Sequence, residues 1–208
     1  LVWLIAWGTI GNELIVPNLF LCLKKSVLLL LDAAFWGMAL GTLKRVLIAF
    51  FFSLVLALIF ALVAYLYPLF EKIFAPIIGV FRAMPVLGVL LIILSWTNRE
   101  VAPIIVACLS LIPILYTEIL SALKGVDKTL IEMSNVYQVP VKRQIAFLYV
   151  PTVLPHVIRS GGAALGFGVK LVVSAEVLVR TGNSLGGAMQ DMQIAQPEMS
   201  ALFALILL

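Results

Sequence analysis

The chain has 208 residues, of which 63% are hydrophobic and 12% are charged, and its mean hydropathy is +1.19. A soluble domain carries roughly half apolar and a quarter charged residues, so this composition excludes an ordinary soluble domain and indicates an integral membrane protein. The net charge of +4 comes mostly from Lys and Arg residues at the ends of apolar runs. Without a basic cluster interleaved with aromatic residues, that charge does not indicate a nucleic-acid-binding protein.

Apolar runs long enough to cross a membrane, which takes about 20 residues, occur along the whole chain. The predicted spans are the end of a first one at 1–10, then 46–70, 73–98, 101–123, 158–179 and a last run that starts at Met199. Segment 26–43 contains Asp32 and is either a short span or an interfacial helix that leads into the next span. The sequence therefore predicts an all-α polytopic bundle of about five or six transmembrane helices. We expect residues 1–208 to form one domain, with both ends truncated relative to the gene product.

Small residues recur four apart in the span 158–179, at Gly162 and Gly166 and at Ala164 and Gly168. Small side chains let helix backbones approach closely in lipid. The pattern predicts packing within one subunit or, as the alternative, packing against a second copy of the chain.

The longest polar stretch is the loop 124–151, whose Lys and Arg residues place it on the cytoplasmic side. Thr129 and Glu132 have the spacing of a capping box that starts a helix. An apolar stripe follows at three- and four-residue steps, formed by Leu130, Met133, Val136 and Tyr137.

Prolines divide the rest of this loop. Pro140 stops the first helix and suits the first turn of a second one, and Pro151 and Pro155 end the unit. The loop thus predicts two short helices at the membrane surface, joined by a tight turn. From these residues alone, the pair is either an interfacial anchor or a docking element for a soluble partner.

The run from Glu132 to Gln138, followed by Pro151 nineteen residues after Glu132, resembles the EAA loop of binding-protein-dependent ABC importer permeases of type I. That pattern reads Glu-Ala-Ala, three residues, Gly, nine residues and Ile-x-Leu-Pro. Met133 and Ser134 replace its two alanines here, and Leu148 and Val150 replace its Ile and Leu. Gln138 stands at the glycine position, and because a residue with a Cβ adopts positive φ less readily than glycine, we expect the turn to differ.

Two further stretches extend the resemblance to roughly residues 35–208. The run 81–85 resembles the Arg-x-x-Pro sequence that opens a core span of these permeases. Ala175-Glu176, followed by Ser184-Leu185-Gly186, resembles the end of the fifth span in the branch for nitrate, taurine, aliphatic sulfonates and thiamine precursors.

The resemblance implies a multi-pass permease of the bacterial inner membrane that forms a dimer, pairs with a cytoplasmic ABC ATPase dimer and receives a small solute from an external solute-binding protein. It implies that the loop couples the permease to the ATPase through Thr129, Glu132, Met133, Ser134, Val136, Tyr137, Gln138 and Pro151. ATP and Mg²⁺ would be bound by the ATPase, and this chain would hold no cofactor and catalyse no reaction. The chain itself has no GxxxxGK[ST] phosphate loop.

Charged residues inside spans are energetically costly and often functional, and Arg82, Lys170 and Glu176 are the candidates for the translocation pathway. Lys170 either pairs with a carboxylate on a neighbouring helix or lines the pathway and favours an anionic solute. Glu176 and Arg180 are four apart and are expected to pair on one helix face. Arg82 is expected to neutralise a carboxylate or a helix end within the bundle.

Two other classes of membrane protein were weighed against this interpretation. An ion-driven secondary carrier or a channel also has broken helices and buried charges, but it needs no capped cytoplasmic helix pair with this spacing. An intramembrane enzyme is disfavoured because the sequence has no HExxH, no GxSxG and a single histidine.

Overall fold

A computed structural model describes residues 17–195 and 198–207, together with Trp3 and Trp7. Every regular element within these residues is helical, which confirms the predicted all-α class. In chain order the helices are α1 (Leu19–Leu31), α2 (Ala33–Leu66), α3 (Pro68–Ala83), α4 (Val86–Trp96), α5 (Ala102–Lys124), α6 (Lys128–Val136), α7 (Val141–Gln144), α8 (Val150–Val179), α9 (Leu185–Gln190) and α10 (Met199–Leu207). Two π-helical segments, Ile145–Tyr149 and Asp191–Ala195, precede α8 and follow α9.

Three stretches of the described chain are long and apolar enough to cross a membrane: α2, α5 and the continuous helical run Val141–Val179. Helices α3 and α4 meet at a bend of 94° and make a fourth span if they are counted as one broken span. Helix α1 has 13 residues, fewer than the about 20 that a crossing needs. The described residues therefore provide three or four spans. Apart from Trp3 and Trp7, the predicted first run 1–10 lies outside the described residues.

Helix α2 starts earlier and ends earlier than the predicted span 46–70. Asp32 separates it from α1, and its Oδ1 accepts a hydrogen bond from the backbone N–H of Ala34 at 3.0 Å. The helix ends before Tyr67, whose extended conformation (φ −124°, ψ 95°) is the one that a following proline imposes. Segment 26–43 is therefore divided at Asp32, and its second half is the beginning of α2.

A second proline accounts for the break between α3 and α4. Met84 is extended (φ −64°, ψ 131°) because Pro85 follows it. The predicted span 73–98 is consequently not one straight helix.

The chain forms two compact units. Among the described residues, the first unit comprises the chain up to Arg45, Leu90–Pro103 and the chain from Val169 onward, and the second comprises Val46–Val89 and Ile104–Gly168. In the first unit, α1 packs against α10: the Ser26 hydroxyl donates to the Ala204 carbonyl at 3.1 Å, and Lys25 pairs with Glu198 at 3.1 Å.

The core of the second unit combines small residues on α2 with large ones on α5. Ala57, Ala61 and Ala64 are at most 1% exposed and lie on one face of α2, and they belong to one buried cluster with the bulky Leu111 and Leu115 of α5. Four aromatic rings extend this core, with centroids 4.9 to 5.3 Å apart, and they belong to Phe60, Phe70, Phe74 and Tyr116.

The two pairs of small residues on α8 have different environments. Ala164 is 1% exposed, and a Cβ added to Gly168 would meet a Leu111 methyl carbon at 3.4 Å. A Cβ added to Gly162 or Gly166 would meet no described atom within 4 Å. Packing within one subunit is therefore confirmed for Ala164 and Gly168, whereas no described residue covers the face with Gly162 and Gly166.

Candidate functional site

The loop 124–151 begins with a capped helix, but the cap differs from the predicted one. Asp127 is the N-cap of α6, and its Oδ1 accepts a hydrogen bond from the backbone N–H of Thr129 at 2.8 Å. Thr129 is the second residue of the helix, so the predicted capping box of Thr129 and Glu132 is wrong. Asp is a better N-cap than Thr, and Asp127 precedes Thr129 by two residues, which starts the helix earlier.

Helix α6 ends in a Schellman turn. The N–H of Val139 donates to the Ser134 carbonyl at 2.9 Å, and the N–H of Gln138 donates to the Asn135 carbonyl at 3.0 Å. Gln138 has φ 48°, the left-handed conformation that glycine adopts most readily. The turn thus keeps a glycine-like geometry although Gln138 was expected to change it, at a conformational cost of about 1–2 kcal/mol.

Hydrogen bonds from the next helix hold this turn in place. Nε2 of Gln144 in α7 donates to the Val139 carbonyl at 3.0 Å and to Oδ1 of Asn135 at 3.2 Å. These contacts join the end of α6 to the start of the following helical run and compensate part of the strain at Gln138.

The second predicted short helix is not a separate element. Helix α7 passes through the π-helical segment directly into α8, and Pro151 and Pro155 lie within the run Val141–Val179. The prediction that these prolines end the unit is therefore wrong. The π-helical segment ends at Tyr149, just before Pro151, and such a widened turn is one way to accommodate a residue that lacks the backbone N–H.

Two side-chain contacts attach the loop to the spans of the second unit. Lys124, at the end of α5, pairs with Glu71 of α3 at 2.5 Å. The hydroxyls of Tyr149 and Tyr65 lie 3.2 Å apart, which connects the π-helical segment to the end of α2. The loop is consequently fastened at its beginning and near its end.

No residue of α6 is buried among the described residues. The predicted apolar stripe is confirmed, and its four side chains are exposed. Leu130 and Met133 are about half exposed, and Val136 and Tyr137 are more than three quarters exposed. Glu132 is also exposed. An exposed apolar surface of this kind on a short helix is typical of an interface with a partner or with a membrane surface.

A buried ion pair lies in the first unit, at the end of α8. Glu176 is fully buried, and its Oε1 accepts a hydrogen bond from Nη1 of Arg45 at 3.1 Å. Its Oε2 accepts from the Thr42 hydroxyl at 2.9 Å and from the backbone N–H of Gly186 at 3.3 Å. The predicted pairing of Glu176 with Arg180 is therefore wrong.

Arg180 has a different partner because α8 ends just before it. The N–H of Thr181 donates to the Glu176 carbonyl at 3.2 Å, and Arg180 has φ 52°, so it occupies the left-handed position of another Schellman turn. Its guanidinium pairs with Asp191, with an Nη2–Oδ1 distance of 2.6 Å.

Arg45 joins three segments of the first unit. Besides Glu176, it pairs with Glu100 and donates to the Gly182 carbonyl at 3.2 Å. Arg45 was not predicted as part of a site because it directly precedes the apolar run 46–70, and basic residues at the end of such a run usually flank a span. Helix α2 instead extends past Arg45 on both sides. The sequence signal was Glu176, a carboxylate in an otherwise apolar run that calls for a cationic partner.

Arg82 and Lys170 lie elsewhere, and both are exposed. Arg82 donates to the Thr117 hydroxyl at 2.6 Å and to the Pro113 carbonyl at 3.5 Å, so the expected carboxylate or helix end is not its partner. Within residues 17–195 and 198–207, no carboxylate lies within ion-pair distance of Lys170.

Lys170 shares a face of α8 with other outward-facing residues. Arg159, Gly162, Gly166 and Lys170 follow one another at three- and four-residue steps, and all four are exposed. The face therefore combines two cations with two small residues in the middle of an apolar span.

The family model described as "Binding-protein-dependent transport system inner membrane component" matches residues 53–208, which is 156 of the 208 residues. The chain belongs to this family. It is thus a transmembrane permease component of an ABC importer and a multi-pass protein of the bacterial inner membrane. The identification from the loop 124–151 is confirmed.

A curated relative agrees with this assignment. The permease is similar to the taurine transport system permease protein TauC of Escherichia coli (strain K12), with 24% identity over 191 residues. The matched region covers 86% of this chain and 70% of TauC. This similarity is consistent with the branch indicated by Glu176 and the run 184–186.

Proposed function

We propose that the permease couples solute import to a separate cytoplasmic ABC ATPase dimer through the loop 124–151. The observation that carries this proposal is α6, a helix of nine residues with no buried residue and an exposed apolar stripe. A helix this short is marginal on its own in water. Its apolar stripe is the surface we expect the ATPase to cover.

The construction of the loop suits the transmission of motion. The Asp127 cap and the turn at Gln138 fix both ends of α6, and the contacts of Lys124 and Tyr149 fasten the loop to the spans. A short rigid helix attached in this way passes a rigid-body displacement to the helices it is bonded to. In this proposal Glu132, Met133, Ser134, Val136 and Tyr137 provide the contact surface for the ATPase.

ATP and Mg²⁺ belong to the ATPase in this proposal, and the permease contributes the translocation pathway. The competing function is an ion-driven carrier or a channel. Such a protein has no use for the exposed apolar stripe of α6, and the family of this chain is one of binding-protein-dependent transporters.

The test is co-expression of the permease with the ATPase from its genomic neighbourhood, comparing wild type with Glu132→Arg. The matched control is Lys24→Glu, an equally large change of charge at an exposed side chain outside the loop. We expect the ATPase to copurify with wild type and with the control, and to be lost or uncoupled in Glu132→Arg. Failure of the ATPase to bind any of the three forms would favour the carrier or channel.

We further propose that the α8 face with Arg159, Gly162, Gly166 and Lys170 lines the pathway against a second copy of the permease. A charged side chain at the centre of a bilayer costs about 2.5–3.5 kcal/mol or more when it faces lipid. Protein or water must therefore cover this face, and its small residues leave room for a close helix or for solute.

The two cations on this face favour a small anionic solute, which an external solute-binding protein would deliver. The name of the relative TauC, a taurine transport permease, supports a sulfonate as one member of that solute class. Arg82 is exposed and available to the same pathway. Glu176 is buried in the described conformation and would reach solute only after its contacts with Arg45 and Thr42 open.

A further inference from the structure

A polar cavity of about 310 Å³ lies in the first unit, beside the turn that follows α8. Its charged lining residues are Arg99, Arg180 and Asp191, and Asn183 and Ser184 add polar groups. Its volume is at the lower end of the range for small-molecule sites, about 300–1,000 Å³.

The cavity has an excess of positive charge. Two guanidiniums face one carboxylate, and Asp191 pairs with Arg180. The guanidinium of Arg99 donates no hydrogen bond and forms no ion pair in the part of the chain that the structure describes. The pair of Arg180 and Asp191 is half-exposed, so it is worth at most about 1 kcal/mol and is readily exchanged for another anion.

The walls of the cavity are fixed by contacts within the first unit. The Thr181 hydroxyl donates to the Arg99 carbonyl at 2.9 Å, and buried Arg45 donates to the Gly182 carbonyl. Arg180 and Asn183 have φ values of 52° and 43°, a conformation that a non-glycine residue adopts only when its surroundings enforce it. The site is therefore shaped before any ligand binds.

The position of Arg99 relative to α5 determines on which side of the membrane Arg99 lies. Arg99 lies just before α5, which starts at Ala102, and the loop 124–151 starts where α5 ends. A helix of 23 residues is about 35 Å long, enough to cross the hydrocarbon core of a bilayer. If the loop is cytoplasmic, as the proposed function has it, Arg99 lies at the external end of α5.

We propose that this cavity binds the oxyanion group of the transported solute, a carboxylate or a sulfonate, at the external entrance of the pathway. Arg99 is the primary ligand, because its guanidinium has no ion-pair partner among the described residues, and Arg180 is the second after Asp191 is displaced. This site is distinct from the α8 face with Lys170 and deepens the proposed function by adding a first contact for the solute.

The experiment is residue-resolved labelling of the full chain in lipid nanodiscs with phenylglyoxal, which modifies accessible arginines and is read out by mass spectrometry. Methanesulfonate is the probe anion, and chloride at equal ionic strength is the reference. We expect methanesulfonate to slow the modification of Arg99 in a concentration-dependent manner, approaching about tenfold or more near saturation. The exposed Arg143 in the loop is the internal control and should be modified at an unchanged rate.

Variants distinguish binding of methanesulfonate in the cavity from a general effect of the anion on arginine modification. Arg99→Gln should remove the protection of Arg180 by methanesulfonate, Arg99→Lys should retain part of it, and Arg143→Gln should leave it unchanged. Equal modification rates of Arg99 in methanesulfonate and chloride would overturn the proposal. Protection by the solute-free external binding protein, with none by methanesulfonate, would also overturn it and assign the cavity to an acidic side chain of that protein.

This readout is independent of the ATPase. Protection of Arg99 without any copurifying ATPase would leave the anion site standing and remove the coupling proposal. Copurification of the ATPase without protection would remove the anion site alone.

Discussion

The contact between Arg45 and Glu176 gives the sharpest test of the structural reasoning. Arg45→Met keeps an apolar stem of similar length but leaves the fully buried Glu176 carboxylate without its cation. Removal of one partner from a buried ion pair costs about 3–5 kcal/mol, because the remaining charge is uncompensated. The loss of the second pair, with the half-exposed Glu100, adds little.

The chain carries its own reporter for this measurement. Cys22 and Cys108 are free thiols that are 0% and 7% exposed, so a thiol-reactive fluorescent dye reports their exposure as the purified permease unfolds on heating. For a chain of this length, 1 kcal/mol corresponds to a shift in Tm of about 2–4 °C. We therefore expect Arg45→Met to lower the Tm by about 6–20 °C.

A double variant distinguishes an unpaired charge from a general loss of packing. Glu176→Gln keeps an acceptor for Thr42 and for the N–H of Gly186 and removes the charge. Arg45→Met with Glu176→Gln should therefore be more stable than Arg45→Met alone, with a residual loss of about 1–3 kcal/mol from the unpaired amide group. A double variant that is less stable than Arg45→Met, or a single variant with a Tm within about 2 °C of wild type, would refute the reasoning.

Two further variants test other parts of the molecule. Gly186→Ala should lower the Tm in the same dye assay, because the added Cβ would lie 2.5 Å from Glu176 Cβ and 2.6 Å from the Val173 carbonyl oxygen. Gly79→Ala is its control, since that Cβ meets nothing described within 4 Å, and an equal loss in both variants would contradict the packing argument. Lys170→Met should reduce uptake of an anionic solute into proteoliposomes and leave ATPase copurification intact. Lys72→Met, at another exposed lysine, should transport normally, and unchanged uptake by Lys170→Met would end the assignment of Lys170 to the pathway.

Features that depend on neighbouring residues were predictable from the sequence. The apolar run 101–123 corresponds closely to α5, and the three- and four-residue stripe correctly indicated a helix with an apolar side in the loop 124–151. The tight turn after that helix was also predicted, since Pro140 stops the helix. In each of these cases the structure is set by local periodicity or by the backbone preferences of a few adjacent residues.

Features that depend on distant residues were not predictable in the same way. Glu176 had a local candidate, Arg180, at helical spacing, but its partner Arg45 is 131 positions away in the chain. Helix α8 ends at Val179, which places Arg180 beyond the helix and beside Asp191. No periodicity in the sequence predicts that α8 ends at this residue. Competition between two nearby capping candidates caused the error at Thr129, because Asp127 is the better cap and comes first.

Proline gave the least consistent signal. Pro68 and Pro85 coincide with breaks, and the residue before each is extended. Pro113 and Pro155 lie within continuous helices. In a membrane helix, neighbouring groups and widened turns satisfy the backbone around a proline, so tertiary context decides whether the helix ends there.

The placement of small residues on α8 has a mechanical consequence. Gly162 and Gly166 lie on the side opposite Ala164 and Gly168, since two residues along a helix correspond to a rotation of about 200°. Within residues 162–168, the two opposite faces of α8 therefore carry few side chains long enough to interlock with a neighbouring helix. Between Arg159 and Lys170, α8 therefore has low surfaces on two opposite sides, which suits a short shearing displacement along the helix axis, and the long side chains at the two ends of this stretch limit its range.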